Sequence, residues 1–272
     1  TKFPTTFTVL PSYAMEAKIM SKFIKEKFAG QAVALVAQDD EFGVDGVNGF
    51  KAGGLTIAST TLYPTSSITD ARAKALLTGL SAIPGKPVVV LFGTTDVTAL
   101  IFKAAESLDL VSKFTWIAGS VGGDANTLLA LGVKSTTIDG AIAASFFPDA
   151  KDTSDEYVSQ FMKINEKYNK GISFDNIVLQ GMNSAMLTVQ ALRAAGKNLT
   201  RTGLINAVQN KGAKFASAGR VPLNYSATSH VGYNGYWFGQ LNAKGELKPY
   251  GGTLSIFTTD SAAGAVEAST FT

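Results

Sequence analysis

Apolar and polar positions along roughly the first 140 residues switch repeatedly between two periods. Ser12 precedes a stretch in which Ile19, Met20, Phe23, Ile24 and Phe28 recur at helical spacing. This predicts a helix of roughly 15 residues, capped by Ser12 and closed at Gly30. AVALVAQ (32–38) is a continuous apolar run, as expected of a strand buried on both faces. The Gly-spaced GVDGVNGF (43–50) predicts a weak helix, and TIASTTLYP (56–64) a second strand. Asp70 opens an amphipathic helix that Pro84-Gly85 ends. VVVLF (88–92) is the clearest strand. Thr95 or Asp96 is expected to cap the next helix, with Val97, Leu100, Ile101, Ala104, Ala105 and Leu108 on one face. FTWIA (114–118) reads as a fourth strand, and Asp124 caps the short helix DANTLLALG. Strand followed by helix four times over predicts an α/β fold, a doubly wound parallel sheet with helices on both faces.

The rhythm changes after about residue 140. DGAIAASFFPD (139–149) is an extended apolar segment. Thr153 and Glu156 have capping-box spacing and predict a helix through Asn169. A long helix is expected over 174–195, closing at Gly196, and another from Thr200 to about Asn210. These helices carry apolar faces (Val158, Phe161, Met162; Leu179, Met182, Met186, Val189), yet 150–211 has no strand pattern of its own. The faces either pack on each other or cover a sheet that this chain does not supply. The second reading is preferred, because 139–149 and 216–225 look like crossovers between lobes. YNGYWFGQLNAKGELKPYGG (233–252) predicts a β-hairpin around the turn Asn242-Ala243-Lys244-Gly245. Residues 258–272 are small and polar, as in a mobile tail.

Composition narrows the chemistry. The chain has 272 residues, a length that suits two domains. Hydrophobic residues make up 46% and charged residues 17%, below the usual charged share of about 25%, so the chain is globular. No apolar run reaches the roughly 18 residues of a membrane-spanning helix. A net charge of +3 is too small to drive nucleic-acid binding. The absence of Cys excludes disulfides, thiolate catalysis and Cys-ligated metal, and a single His excludes any site needing two imidazoles. No cofactor motif is present: GVDGVNGF lacks both GxGxxG and GK[ST]. His230 has no GxSxG elbow to serve and reads as structural. No catalytic residue and no metal ligand is expected.

Seven segments in order carry a resemblance: FPTTFTVLPSYAMEAKIMSKFIKEKF, AVALVAQDDEFGVDGVNGF, VVVLFGTT, FTWIAGSVGG, DGAIAASFFPD leading to DEYVSQFMKINEKY, QGMNSAMLTVQALRAAG and SHVGYNGYWFGQLNAKGELKP. Together they resemble the type I periplasmic-binding-protein family, in its leucine/isoleucine/valine-binding-like branch. These are substrate-binding components of ABC transporters. In QGMNSAM the family's aromatic-Asp-Ala core is replaced. The resemblance implies two lobes joined by three crossovers. It implies that 1–11 is the first crossover and 12–140 is lobe II. On the same basis 141–222 is the C-terminal helical part of lobe I, 223–252 a hairpin returning to lobe II, and 253–272 a C-terminal tail. It further implies that most of lobe I's sheet lies in a missing N-terminal segment, possibly a separate chain. The start at Thr1-Lys2-Phe3-Pro4 would then be a cut made by processing or truncation.

Ligands of open α/β sheets bind beyond the carboxyl ends of the strands. Here those ends are 39–43, 65–67, 93–95 and 119–122. Thr94, Thr95 and Ser120 offer hydroxyls, and helix N-termini offer N–H groups to a carboxylate. By the resemblance, Phe42 lines the cleft as a stacking face, Tyr13 lies at the first hinge, Phe146 and Phe147 at the second, and Gln180 begins the altered core motif. The family's acid for a ligand ammonium would fall at Ser120 or Val121, and neither is acidic. A carboxylate without an ammonium, such as an aromatic or small organic acid, therefore becomes plausible beside an amino acid. Asp39-Asp40-Glu41 reads as a solvated acidic loop, and Met182 and Met186 as core. The expected function is a non-enzymatic bacterial receptor, periplasmic or held at the cell surface, secreted or lipid-anchored. It would close by hinge motion on a small-molecule ligand and present itself to an ABC transporter permease. The alternative is a ligand-sensing domain of a receptor or regulator with the same fold.

Overall fold

The computed structural model describes residues 3–65, 67–260 and 264–271. They form two units, one of 12–145 with 236–272 and one of 1–11 with 146–235. The sequence reading set its boundaries at 140/141 and 222/223. The units divide at 145/146 and 235/236, because residues 142–145 pair within the sheet on both sides.

The first unit is built on strands β1 (Val33–Gln38), β2 (Ser59–Tyr63), β3 (Val88–Phe92), β4 (Thr115–Ala118) and β5 (Ile142–Ser145). They lie parallel in the order β2-β1-β3-β4-β5. β6 (Gly235–Leu241) then pairs antiparallel with β5, and β7 (Leu247–Pro249) pairs with β6. β8 (Leu254–Thr258) and β9 (Glu267–Phe271) extend the sheet beyond β6. β1 and β3 are almost wholly buried, which explains their unbroken apolar sequence. The helices are α1 (Tyr13–Lys27), α2 (Glu41–Ala52), α3 (Asp70–Ser81), α4 (Thr95–Ser107), α5 (Ala125–Ala130) and α6 (Ser135–Ile138). Leu77, Ile101, Phe102, Leu128 and Ile138 from α3 to α6 share a core with Val89, Leu91 and Trp116 of the sheet. α1 meets the sheet through Phe23, which stacks on Phe238 at 3.9 Å.

The second unit is helical. α7 (Glu156–Tyr168), α8 (Asn176–Ala195) and α9 (Arg201–Lys211) bury Val158, Phe161, Leu179, Leu187 and Val208. The only pairing in this unit among the described residues is the pair of isolated bridges Thr8–Val231 and Leu223–Tyr233. A buried network joins its parts. Asn183 donates to the Tyr233 hydroxyl at 3.0 Å and accepts from the Ala218 N–H at 2.8 Å. No helix among the described residues is long and apolar enough to cross a membrane.

Several expectations change. The weak helix at 43–50 is a full α2, because the Asp40 carboxylate caps it by accepting from the Gly43 N–H at 3.2 Å. Asp40 is thus a cap and not part of a solvated acidic loop. Thr94, not Thr95 or Asp96, is the N-cap residue of α4. The expected Thr153/Glu156 box is absent. Asp155 caps α7 instead, accepting from the N–H groups of Tyr157 and Val158 at 3.0 and 3.1 Å. Met182 and Met186 are only half-buried, since Leu179, Asn183 and Leu187 form the buried stripe of α8. Part of the segment 258–272, expected as a mobile tail, forms β9 against β8. Residues 261–263 and 272 of it lie outside the described residues.

Candidate functional site

The order β2-β1-β3 puts the switch point of the sheet between β1 and β3, the place where open α/β sheets bind ligands beyond the carboxyl ends of the strands. A chain of polar contacts spans the strand ends there. The Thr94 N–H donates to the Tyr63 hydroxyl at 3.1 Å, and that hydroxyl donates to Gln38 Oε1 at 3.4 Å. The Gln38 amide in turn donates to the Asp40 carboxylate at 2.5 Å. A Cβ at position 93 would stand 2.1 Å from the Tyr63 hydroxyl, so a larger residue than Gly93 would displace that side chain.

Tyr13 and Phe42, far apart in sequence, meet at this edge. Their ring centroids are 4.2 Å apart, and Phe42 lies 5.1 Å from Phe92, the last residue of β3. Both residues are half-buried. Thr94 and Thr95 follow β3, and Ser120 and Val121 follow β4. The three hydroxyls expected to serve a ligand are not equally free. Thr95 donates its hydroxyl to the Val121 carbonyl at 2.7 Å, and Ser120 donates its own to Glu16 at 3.1 Å. Thr94 makes no side-chain cap bond, but its side chain as well as its N–H bonds to the Tyr63 hydroxyl. The Val121 side chain is exposed.

Glu16 is the residue that sequence reasoning missed. It lies in the first turn of α1 and is 1% exposed. Its Oε1 accepts the Ser120 N–H at 2.5 Å, while Oε2 accepts the hydroxyls of Ser120 and Tyr236 at 3.1 and 3.3 Å. Burial pushes its carboxyl from the ordinary 4.5 up to about 7, against the pull of these donors. The resemblance put the family's acid at Ser120 or Val121. An acid does reach Ser120, but from a different element. Helical spacing held the signal: Glu16 precedes Ile19, Met20 and Phe23 by three, four and seven residues, on the apolar face.

Phe147 and Gln180 belong to the helical unit. Phe147 is buried there against Phe146 and Tyr233, at 4.9 and 5.6 Å between centroids. Gln180 is half-buried on α8, and its carbonyl accepts from Ser184. His230 is buried, stacks on Phe7 at 4.0 Å and lies 3.1 Å from the Gln209 amide. A hollow of about 480 Å³ lies in this unit among Phe7, Leu192, Leu204, Ile205 and Val208, with Arg201 in its lining.

A sequence model described as Periplasmic binding protein matches residues 1–246. The chain belongs to the periplasmic-binding-protein family. This periplasmic binding protein has the type I fold of solved relatives whose identity is too low to show more than fold. A possible leucine/isoleucine/valine-binding protein from Rhodopirellula baltica SH 1 is 18% identical, with a TM-score of 0.75 over 92% of this chain and 68% of the other. A branched chain amino acid ABC transporter protein from Thermus thermophilus, with bound valine, is 21% identical, with a TM-score of 0.72 over 89% and 65%. An ABC transporter solute binding protein from R. palustris, in complex with benzoate, is 19% identical, with a TM-score of 0.68 over 94% and 65%. The chain thus spans about two thirds of the length of these relatives. A search of curated proteins returns no match.

Proposed function

We propose that this chain is part of the extracytoplasmic substrate-binding component of a bacterial ABC transporter, of the branched-chain-amino-acid type, and that its ligand is a small molecule carrying a carboxylate. The observation that carries this reading is the Tyr13–Phe42 pair at the carboxyl edge of the sheet, in a member of a ligand-binding family. The half-buried rings would offer apolar surface to a ligand's body. The N-terminus of α4 would offer backbone N–H donors to its carboxylate. Valine and benzoate, bound in two of the similar structures, share a carboxylate and differ in the ammonium. That pattern supports the wider class, amino acid or aromatic and organic acid.

A ligand engaging both units would favour a closed arrangement reached by hinge motion, and a membrane permease would read that arrangement. The helical unit exposes Ile164, Tyr168, Ile172, Ile177, Val189 and Leu192, together with its apolar hollow. Such a surface supports a further N-terminal segment of the same lobe covering these helices, in this chain or as a separate one.

Calorimetric titration of the intact protein with benzoate and with L-valine tests the reading. Saturable binding of either, with a matching rise in Tm, is expected. No heat and no Tm shift with either acid would overturn it.

A further inference from the structure

Charge is spread unevenly along the chain. Residues 176–245 hold seven cations and none of the chain's 21 acids. The net charge of +3 conceals this, since the rest of the chain has more acids than cations. Arg220 is paired, 2.8 Å from the Asp152 carboxylate, and Lys244 lies in the turn between β6 and β7 of the other unit. The remaining five, Arg193, Lys197, Arg201, Lys211 and Lys214, are all exposed in the helical unit. None of them forms an ion pair with an acid among the described residues.

Tertiary contacts gather these cations at one end of the unit. Arg193 lies in the last turn of α8, and Lys197 follows the end of that helix. Lys211, the last residue of α9, donates through Nζ to the Ala194 carbonyl at 3.3 Å. The segment after α9 is clamped to the same place. The Ala216 N–H donates to Gln190 Oε1 at 2.7 Å, and the Gln190 amide donates to the Ala216 carbonyl at 2.8 Å. The chain at Lys211 and Lys214 therefore runs beside the α8 end that carries Arg193 and Lys197. Arg201 opens α9. Helix dipoles account for cations near the C-termini of α8 and α9, but not for Arg201, because a cation at a helix N-terminus opposes the dipole. Between Lys197 and Arg201, Leu199 is 55% exposed and forms no part of the apolar hollow.

Unpaired cations around an exposed leucine suit a partner that presents negative charge with an apolar layer directly beneath it. An anionic bilayer supplies both, because basic side chains stay at its headgroups while a neighbouring apolar side chain enters the acyl boundary. An acidic protein surface would satisfy the charge and leave Leu199 without a role. We infer that the 193–214 end of the helical unit docks on an anionic phospholipid surface, with its five cations at the headgroups and Leu199 at the acyl boundary. This docking does not depend on which ligand the sheet edge takes.

The test is co-sedimentation of the intact protein with vesicles of phosphatidylglycerol and phosphatidylcholine in equal parts, and with vesicles of phosphatidylcholine alone. Binding to the anionic vesicles is expected at about 0.05 M salt and should fall at least roughly tenfold at about 0.5 M, as screening shortens the reach of the charges. Lys197→Gln combined with Arg201→Gln should weaken binding by roughly tenfold or more, since each cation at such a surface contributes about fivefold. Leu199→Ser should weaken it by about threefold or more through the lost apolar contact. All three side chains are exposed, so the variants should keep the wild-type Tm. Absence of wild-type binding to the anionic vesicles, or equal binding to both kinds of vesicle, would overturn the inference. A double glutamine variant that binds as the wild type does would overturn it too. Charge-dependent binding that Leu199→Ser leaves unchanged would overturn the bilayer assignment in favour of an acidic protein surface.

Discussion

The ring of Tyr13, the first residue of α1, packs 4.2 Å from the ring of Phe42, in the first turn of α2. Two helices that begin at the same edge of the sheet thereby place an aromatic pair beside the carboxyl ends of β1 and β3. Phe92 supports the pair from beneath, 5.1 Å from Phe42 and 6.2 Å from Tyr13.

Phe42→Ala should weaken benzoate or valine binding by roughly 1–3 kcal/mol, as expected for a central aromatic anchor. Calorimetry on the intact protein reads this directly. Unchanged affinity would remove Phe42 from the site.

Burying Glu16 makes stability depend on pH. The unfolded carboxyl releases its proton near 4.5, whereas the folded one keeps it to about 7. Between those values the folded state binds more protons, so stability is full below 4.5 and is lost as pH rises through 7. The contribution is on the order of 3 kcal/mol across that window. Urea unfolding at pH 5 and pH 8 should show the wild type losing that amount relative to Glu16→Gln. A constant difference between the two proteins would count against a buried, titrating Glu16.

Two glycines make opposite predictions. A Cβ at Gly43 would lie 1.7 Å from the Gln38 carbonyl oxygen, so α2 can approach the end of β1 only with glycine there. Gly43→Ala should cost about 1–3 kcal/mol or more, outweighing the roughly 1 kcal/mol that alanine gains in a helix. Gly79, exposed on α3, has open space where a Cβ would go. Gly79→Ala should stabilise by about 0.5–1 kcal/mol. Tm shifts of opposite sign are the expected result.

The start of α7 is tested by a pair of caps. Asp155→Ala should lose about 1 kcal/mol, because two N–H groups lose their acceptor. Thr153→Ala should lie within about 0.5 kcal/mol of the wild type. Equal losses would restore the capping box that the sequence spacing pointed to.

The alternation of apolar strands and amphipathic helices was enough to identify the parallel sheet, since β1 and β3 are buried on both faces and admit almost no polar residue. The same α/β pattern pointed to the strand ends as the candidate site. Thr94, Thr95 and Ser120 became candidates that way, and Phe42 by the family resemblance. The cap at Asp155 was not, because Thr153 offers the same spacing to Glu156, and only backbone geometry decides between them. β9 escaped notice because a small, polar edge strand has little hydrophobic period, and its pairing with β8 comes from backbone bonds. Glu16 lay in plain sight on an apolar helix face. What the chain could not say by itself is that Ser120 and Tyr236, separated from Glu16 by 104 and 220 positions, would converge on its carboxylate. Local periodicity determines which elements form; long-range packing alone determines which polar groups are buried together, and hence where a proton is held.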